Sequence, residues 1–214
     1  MGLFQFVLEI IGTVAFAVSG AMVGVRKNMD VFGIAILGLT TAVGGGILRD
    51  LILGMTPPAT FRNPVYALVA IATSIAAFLC AKYGRFRRGR KLYAAALLVM
   101  DSLGLGAFTV AGMAVAFGQN LDCGAFLPVF VGVITGVGGG VLRDVMAGET
   151  PYIFVKHVYA CASLVGALVC VCLCGLLGEN GAMLAGMASV VALRLLSAHF
   201  RWNLPKVRRE EKVT

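Results

Sequence analysis

The sequence predicts an all-α membrane protein with seven transmembrane helices, arranged as two inverted three-helix repeats plus a seventh helix. Apolar residues make up 59% of the 214 residues and charged residues only 13%, which leaves too little polar surface to coat a water-soluble domain. Seven apolar segments are long enough to cross about 30 Å of hydrocarbon. Two of these segments carry nearly the same motif, so the chain is predicted to contain an internal duplication.

Charged residues and clusters of Pro or Gly interrupt the apolar runs and set the predicted helix limits. The seven segments are roughly 3 to 25, 31 to 54, 65 to 83, 92 to 118, 125 to 148, 158 to 177 and 181 to 200. The prediction is a single transmembrane domain over 1–214, with repeat 1 at about 3–83, repeat 2 at about 92–177, helix 7 at about 181–200 and a basic cytoplasmic tail at 201–214.

The first segment could instead be a cleaved signal peptide, because small residues follow its apolar run. It has no basic region before that run. Four of its residues also align with the fourth segment: Ala15, Phe16, Ser19 and Gly20 with Ala107, Phe108, Ala111 and Gly112. A signal peptide would not need this alignment, so the segment is predicted to be a mature helix.

The basic loop residues predict the orientation. Fourteen Lys and Arg residues lie in loops and the tail on one side of the bundle, and only Arg62 lies on the other. Short loops rich in Lys and Arg stay in the cytoplasm, so we expect a multi-pass protein of the cell (inner or plasma) membrane with the N-terminus outside and the C-terminus cytoplasmic. The net charge of +8 then reflects topology, and no nucleic-acid partner is expected.

Six cysteines raise the alternative of a metal or disulfide site, and Cys170, Cys172 and Cys174 are close in sequence. At this spacing they cannot share one helix face, and no nearby His or carboxylate completes a site. They are predicted to be apolar filler, with no cofactor and no resident metal. An enzyme is also disfavoured, because no Ser-His-Asp set is present and both histidines, His157 and His199, lie near the membrane boundary.

The second half of the chain repeats the first. The stretch "TAVGGGILRDLILGMTP" at 41–57 returns 94 residues later as "TGVGGGVLRDVMAGETP" at 135–151. Upstream of it, Glu9 aligns with Asp101 at an offset of 92. Three helices per repeat is an odd number, so the second repeat must lie upside down relative to the first. Such inverted repeats build a path around a pseudo-two-fold axis in the membrane plane.

Each motif places three glycines in mid-membrane: Gly44, Gly45 and Gly46 in the first copy, and Gly138, Gly139 and Gly140 in the second. Consecutive glycines weaken a helix by about 1 kcal/mol each relative to Ala, which predicts a break or kink at a pathway. Close helix packing is the alternative. The intramembrane charges beyond each run favour the pathway, because such charges normally face a cavity or a partner. Ser19, Gly20 and Gly112 are assigned to the same path.

The repeated charges are predicted to lie toward opposite faces of the membrane. At about 1.5 Å of rise per residue, Glu9 shares the depth of Arg49, and Asp101 that of Arg143. Successive residues diverge by about 100° around a helix, so the expected partners of each Arg are on neighbouring helices and not the adjacent Asp50 or Asp144. These groups are either structural ion pairs or the mouths and gates of a path. Together with Arg194 they give a net −1, a weak cation preference.

The doubled "GGG-x-LRD" with its trailing "G-x-T-P", on the second helix of each repeat, resembles the trimeric intracellular cation (TRIC) channel family. The resemblance is closer to the prokaryotic branch, also catalogued as an uncharacterised membrane family and as putative glycine transporters, and covers about Phe4 to His199. It implies a homotrimer in the lipid bilayer with one pore per protomer and with helices kinked at the glycine motifs. It also implies conduction of monovalent cations, with potassium bound only transiently. Neither copy has the Lys-Glu-Val motif of the animal branch.

Two functions remain open from the sequence. A channel needs a continuous water path, and its selectivity can come from carbonyl groups and charge. A secondary transporter of small solutes such as glycine uses the same inverted repeats but needs a substrate pocket with alternating access. No Trp, His or Tyr lies close to the glycine runs, with Tyr66 and Tyr159 beyond them, which slightly disfavours an elaborate substrate pocket.

Overall fold

A computed structural model describes residues 2–83, 90–119, 124–155 and 158–202. Within these ranges the chain forms helices and no strands: α1 (Leu3–Arg26), α2 (Val31–Ile52), α3 (Ala59–Arg62), α4 (Val65–Lys82), α5 (Arg90–Gly118), α6 (Phe126–Met146), α7 (Tyr152–Val155) and α8 (Tyr159–His199). Six of these helices are long and apolar enough to cross a membrane. The chain is an all-helical, multi-pass membrane protein. Most of the predicted basic tail and His157 lie outside the described residues.

The long helices follow the apolar segments closely. The first five predicted spans match α1, α2, α4, α5 and α6 to within two residues at each end. The last two predicted spans match α8 to within one residue at its two ends, and Gly178 between them leaves the helical conformation with φ 68° and ψ 173°. The four-residue helices α3 and α7, which follow the two motifs, were not predicted because one turn of helix leaves no periodic pattern.

The trailing glycine of each motif ends its helix. Gly54 and Gly148 have φ of 68° and 66°, a left-handed conformation that glycine adopts without strain. Met55 N donates to Asp50 O at 2.8 Å, and Glu149 N donates to Asp144 O at 2.9 Å. These bonds reach back over the last turn of α2 and α6 and satisfy carbonyl groups that would otherwise lack a partner.

The four helices that carry the duplicated residues form the centre of the bundle. Helix α1 packs against α2, α4 and α5, α2 packs against α6, and α5 packs against α6 and α8. Helix α4 is peripheral and buries only Ala70 and Ser74. Its apolar outer surface is what a helix in contact with lipid requires.

The predicted break at the glycine runs is wrong, because α2 and α6 continue as helices through both of them. The runs lie instead where the two helices cross. A Cβ atom on Gly45 would overlap the carbonyl group of Thr135, and one on Gly139 would overlap the carbonyl of Thr41. Close packing explains the glycines better, because hydrocarbon offers no partner for freed backbone groups.

Candidate functional site

One group of charges lies where α1, α2 and α4 meet. We call it the Arg49 cluster, and its members are Glu9, Arg49, Asp50 and Tyr66. Arg49 Nε donates to Asp50 Oδ1 at 2.8 Å, and Arg49 Nη1 lies 3.8 Å from Glu9 Oε1. Glu9 accepts two further hydrogen bonds, from Tyr66 OH at 2.5 Å and from Gln5 Nε2 at 3.2 Å. The cluster therefore joins three helices at one end of the bundle.

The second copy of the motif builds a related group at the other end. We call it the Arg143 cluster, and its members are Asp101, Arg143, Asp144, Tyr159 and Arg194. Arg143 donates to Asp101 at 2.6 Å, to Asp144 at 2.9 Å and to Ser19 Oγ of α1 at 2.5 Å. Arg194 Nη2 donates to Asp101 Oδ2 at 3.3 Å. The Arg143 side chain is fully buried, and among the described residues its Nη2 and Arg194 Nε have no hydrogen-bond partner.

The structure brings both predicted inter-helix pairs together, Glu9 with Arg49 and Asp101 with Arg143. The expectation that each Arg would not bind its adjacent Asp is wrong, since Arg49 binds Asp50 and Arg143 binds Asp144. The Cβ directions of adjacent residues do diverge. An arginine side chain is long enough to fold back across that angle, and its guanidinium offers several donors in a fork.

The aspartates of the two motifs have a second partner. Asp50 Oδ2 accepts from Ala59 N at 2.7 Å, and Asp144 Oδ2 accepts from Tyr152 N at 2.9 Å. Ala59 and Tyr152 are the first residues of α3 and α7, so each carboxylate lies at a helix start, where a negative charge is favourable. Each Asp therefore links the end of its motif to the short helix that follows.

A cavity of about 430 Å³ opens beside the Arg49 cluster. Its polar lining includes Glu9, Thr13, Arg49, Asn63 and Tyr66, and Phe108 also lines it. A space of this size, with carboxylate, amide and hydroxyl groups, can hold several water molecules or a hydrated ion. Arg49 retains slight exposure, whereas Arg143 retains none. The two copies of the motif thus differ in their access to solvent.

An aromatic pair joins α1 and α5 between the levels of the two clusters. Phe16 and Phe108, which occupy equivalent positions in the two repeats, have ring centroids 5.4 Å apart and ring planes tilted by 34°. Along α1 the chain passes from Glu9 to Phe16 and then to Ser19, which binds Arg143. The two buried rings therefore lie between the levels of Glu9 and Ser19, and Phe108 also lines the cavity.

The remaining residues assigned to the path lie at helix contacts. A Cβ atom on Gly20 would meet Thr41 Oγ1 at 2.6 Å, and one on Gly112 would meet Thr135 Oγ1 at 2.5 Å. In the outer positions of the runs, Gly44 faces Leu142, while Gly46 has open space beside it apart from an Arg49 nitrogen at 3.9 Å. Gly46 also lines the cavity, so this glycine does face open space.

The sequence reasoning placed Tyr66 and Tyr159 outside the site, and it gave Arg194 no partner. Tyr66 binds Glu9, and Tyr159 OH lies 3.5 Å from Asp101 Oδ1. Each tyrosine follows a valine at equivalent positions in the two halves, and this repeated pair could have indicated that both tyrosines belong to the site. Arg194 lies in the part of α8 without a counterpart in the first repeat, so only the structure shows that it shares Asp101. Within the described ranges no three His, Cys, Asp or Glu side chains are grouped to hold a metal.

Comparisons with known proteins agree with this architecture. A family model described as "Glycine transporter" matches twice, at residues 6–82 and 98–174. The UPF0126 inner membrane protein YadS of Escherichia coli K12 is 37% identical over 92% of each chain. The two matches of one model, offset by 92 residues, coincide with the two halves that carry the clusters.

Solved structures give a more specific likeness. A structure reported as the basis for conductance through TRIC cation channels has 36% identity and a TM-score of 0.81, covering 95% of this chain and 97% of that one. A TRIC trimeric intracellular cation channel orthologue from Rhodobacter sphaeroides has 32% identity and a TM-score of 0.83, covering 94% and 100%. The chain therefore belongs to the prokaryotic branch of the TRIC family, the group that the glycine transporter model and the UPF0126 name also describe.

Proposed function

We propose that the chain is a monovalent cation channel, with potassium as its physiological ion and one path through each protomer. The observation that carries this proposal is the likeness over 95% of the chain to a structure named for conductance through cation channels. The geometry adds support, because a cavity lined by charged and polar groups opens beside the Arg49 cluster of a membrane-spanning bundle.

The proposed path runs from the cavity at the Arg49 cluster, past the Phe16 and Phe108 rings, to the Arg143 cluster. The Arg49 cluster holds two carboxylates and one guanidinium and has a formal charge of −1. The Arg143 cluster holds two of each and is neutral. A negative mouth raises the local concentration of cations, and an apolar constriction can close a path by excluding water. The path is closed at the rings and at the Arg143 cluster.

The repeats in this proposal are inverted, and seven spans cross the membrane, with α8 divided at Gly178. Matched contacts support the inversion. Gly45 of α2 faces Thr135 of α6, and Gly139 of α6 faces Thr41 of α2. Such reciprocal pairs are expected when a two-fold axis passes between the two helices.

A transporter of glycine or a similar solute is the second candidate, and the family model's description names it. The likeness to solved cation channels disfavours it. Purified protein in liposomes distinguishes the two, because the channel proposal predicts dissipation of a K⁺ gradient without uptake of radiolabelled glycine. Saturable glycine uptake with no K⁺ leak would favour the transporter.

The proposed orientation places the Arg49 cluster at the outer face and the Arg143 cluster at the cytoplasmic face. Arg26, Lys27 and Lys82 end their helices at the Arg143 end, whereas Arg62 lies at the Arg49 end. This distribution follows the preference of basic residues for the cytoplasm. We expect reporter fusions in the loop at 84–89 and after residue 213 both to report cytoplasm. A periplasmic signal from either fusion would reverse the assignment.

The assembly in this proposal is a homotrimer, as the word trimeric in the description of the Rhodobacter sphaeroides channel suggests. Exposed apolar side chains on α6 and α8, such as Phe130, Leu164 and Leu168, offer surface that lipid or a neighbouring protomer can cover. Native mass spectrometry in mild detergent is expected to give three times the mass of the chain. A monomer or dimer as the sole species, both in detergent and after crosslinking in membranes, would exclude the trimer.

A further inference from the structure

A small ion-pair network lies at the Arg143 end of the bundle, outside the two clusters. Glu149, in the turn after α6, accepts a hydrogen bond from Arg26 Nη2 at 2.5 Å and lies 3.0 Å from Lys27 Nζ. Arg26 is the last residue of α1, and Lys27 is its C-cap. The network therefore joins the end of α1 to the end of α6.

The turn that holds Glu149 is continuous with the Arg143 cluster. Glu149 N donates to Asp144 O at 2.9 Å, and the Asp144 carboxylate binds Arg143. Arg143 in turn binds Ser19 of α1. Helix α1 is thus tied to the end of α6 at two levels, inside the bundle by Ser19 and at its surface by Glu149.

Among the described residues, the opposite end of the bundle has no such network. Met55 occupies the position equivalent to Glu149, and Gly118 and Gln119 occupy the positions equivalent to Arg26 and Lys27. The end without the network opens into the cavity, and the end with it contains the fully buried Arg143 side chain. The ion pairs therefore distinguish two ends that are otherwise built from the same motif.

We propose that Glu149 is a latch that holds the end of α1 against the turn after α6 and so favours closure of the path at the Arg143 end. The latch regulates the proposed channel and rests on that function. The three side chains keep 25% to 39% exposure, so each contact is weak, and the latch biases the opening equilibrium without fixing it. Burial alone would raise the pKa of Glu149, but the Lys27 hydrogen bond and the nearby Arg26 hold this pKa below its ordinary value.

The substitution that tests the latch is Glu149→Met, which installs the residue of the first repeat. The backbone bond from residue 149 to Asp144 O does not depend on the side chain, so the turn is retained. In planar bilayers we expect the ratio of open to closed time to rise about three- to tenfold, the range that one or two partly exposed ion pairs can supply, with unchanged single-channel conductance.

Reversing the charges of the network tests whether Glu149 acts by ionic attraction or whether its substitution simply disturbs the turn. Glu149→Lys places three cations together and is expected to raise the open fraction further. Adding Arg26→Glu and Lys27→Glu recreates the attraction with opposite signs and should restore the wild-type open fraction. Failure of the triple variant to restore closure, in a protein that still assembles, would overturn the latch.

A distance measurement tests the latch independently of channel current. Spin labels at the exposed Asn28 and Val145, in a cysteine-free background, report the separation of the ends of α1 and α6. The latch predicts a longer and broader distance distribution in Glu149→Met than in the parent. An unchanged distribution would contradict the latch, whereas a wild type that passes no cation current would contradict the channel proposal.

Discussion

Gly45→Ala and Gly139→Ala are expected to destabilise the folded assembly strongly. In each case the new Cβ would overlap a backbone carbonyl of the facing helix, Thr135 for Gly45 and Thr41 for Gly139. A backbone atom cannot move aside as a flexible side chain can, so α2 and α6 must separate. Overpacking typically costs about 1–3 kcal/mol and occasionally more, and we expect the upper end of this range at a contact between two backbones.

Gly46→Ala is the matched control for this prediction. Its Cβ would meet only an Arg49 nitrogen at 3.9 Å, so the space beside it is open. Alanine favours a helix by about 1 kcal/mol relative to glycine, which predicts equal or higher stability. The measurement is the apparent melting temperature and elution profile of each variant in mild detergent. If Gly45→Ala and Gly46→Ala lowered the melting temperature equally, the close crossing of α2 and α6 would not be the reason for the glycines.

Arg143→Gln is expected to destabilise the protein far more than Arg49→Gln. Arg143 has no exposed surface, and its removal leaves Asp144 with the Tyr152 backbone N–H but, among the described residues, with no ion-pair partner. Removing one partner of a buried ion pair costs about 3–5 kcal/mol. Arg49 and Glu9 both line the cavity, so water can reach the Glu9 carboxylate that Arg49 would leave behind. Thermal unfolding in detergent, monitored by the loss of assembled protein, gives the comparison.

The double variant Arg143→Gln/Asp144→Asn tests the cause of that loss. It removes the uncompensated charge, while Asp101 keeps its bond to Arg194. We therefore expect it to regain a large part of the melting temperature lost by Arg143→Gln. No recovery would show that Arg143 stabilises the bundle mainly by filling space and not by its charge.

The helix limits were predictable because hydrocarbon imposes them. A spanning segment must be apolar and long, so the ends of α1, α2, α4, α5 and α6 follow from the sequence to within two residues. The duplication was equally visible, and the family model finds the same two halves. The short α3 and α7 were missed because four residues show no period, although Asp50 and Asp144 hold both of them in place.

The glycine runs were misread because composition alone does not distinguish a broken helix from a close crossing. Both need residues without side chains, and the identity of the facing atom decides between them. For Gly45 that atom is a carbonyl oxygen of α6, which the sequence does not show. The ring contact between the clusters was missed for a similar reason, since the alignment of Phe16 with Phe108 did not reveal that the two rings touch.

The ion-pair partners were also only partly predictable from the sequence. Equal depth in the membrane correctly paired Glu9 with Arg49 and Asp101 with Arg143. Depth could not show that each Arg also folds back onto its adjacent Asp, because that depends on the rotamer. Nor could it place Arg194 on Asp101, because this contact depends on how the last helix packs against α5.

The central claim is that the chain conducts monovalent cations, and the reversal potential of purified protein in planar bilayers under asymmetric KCl tests it most directly. We predict discrete single-channel currents whose reversal potential is shifted from zero toward the equilibrium potential of K⁺, because the mouth at the Arg49 cluster carries a formal excess of one negative charge. A reversal potential that follows Cl⁻, or bilayers that stay silent with correctly assembled protein, would contradict the account.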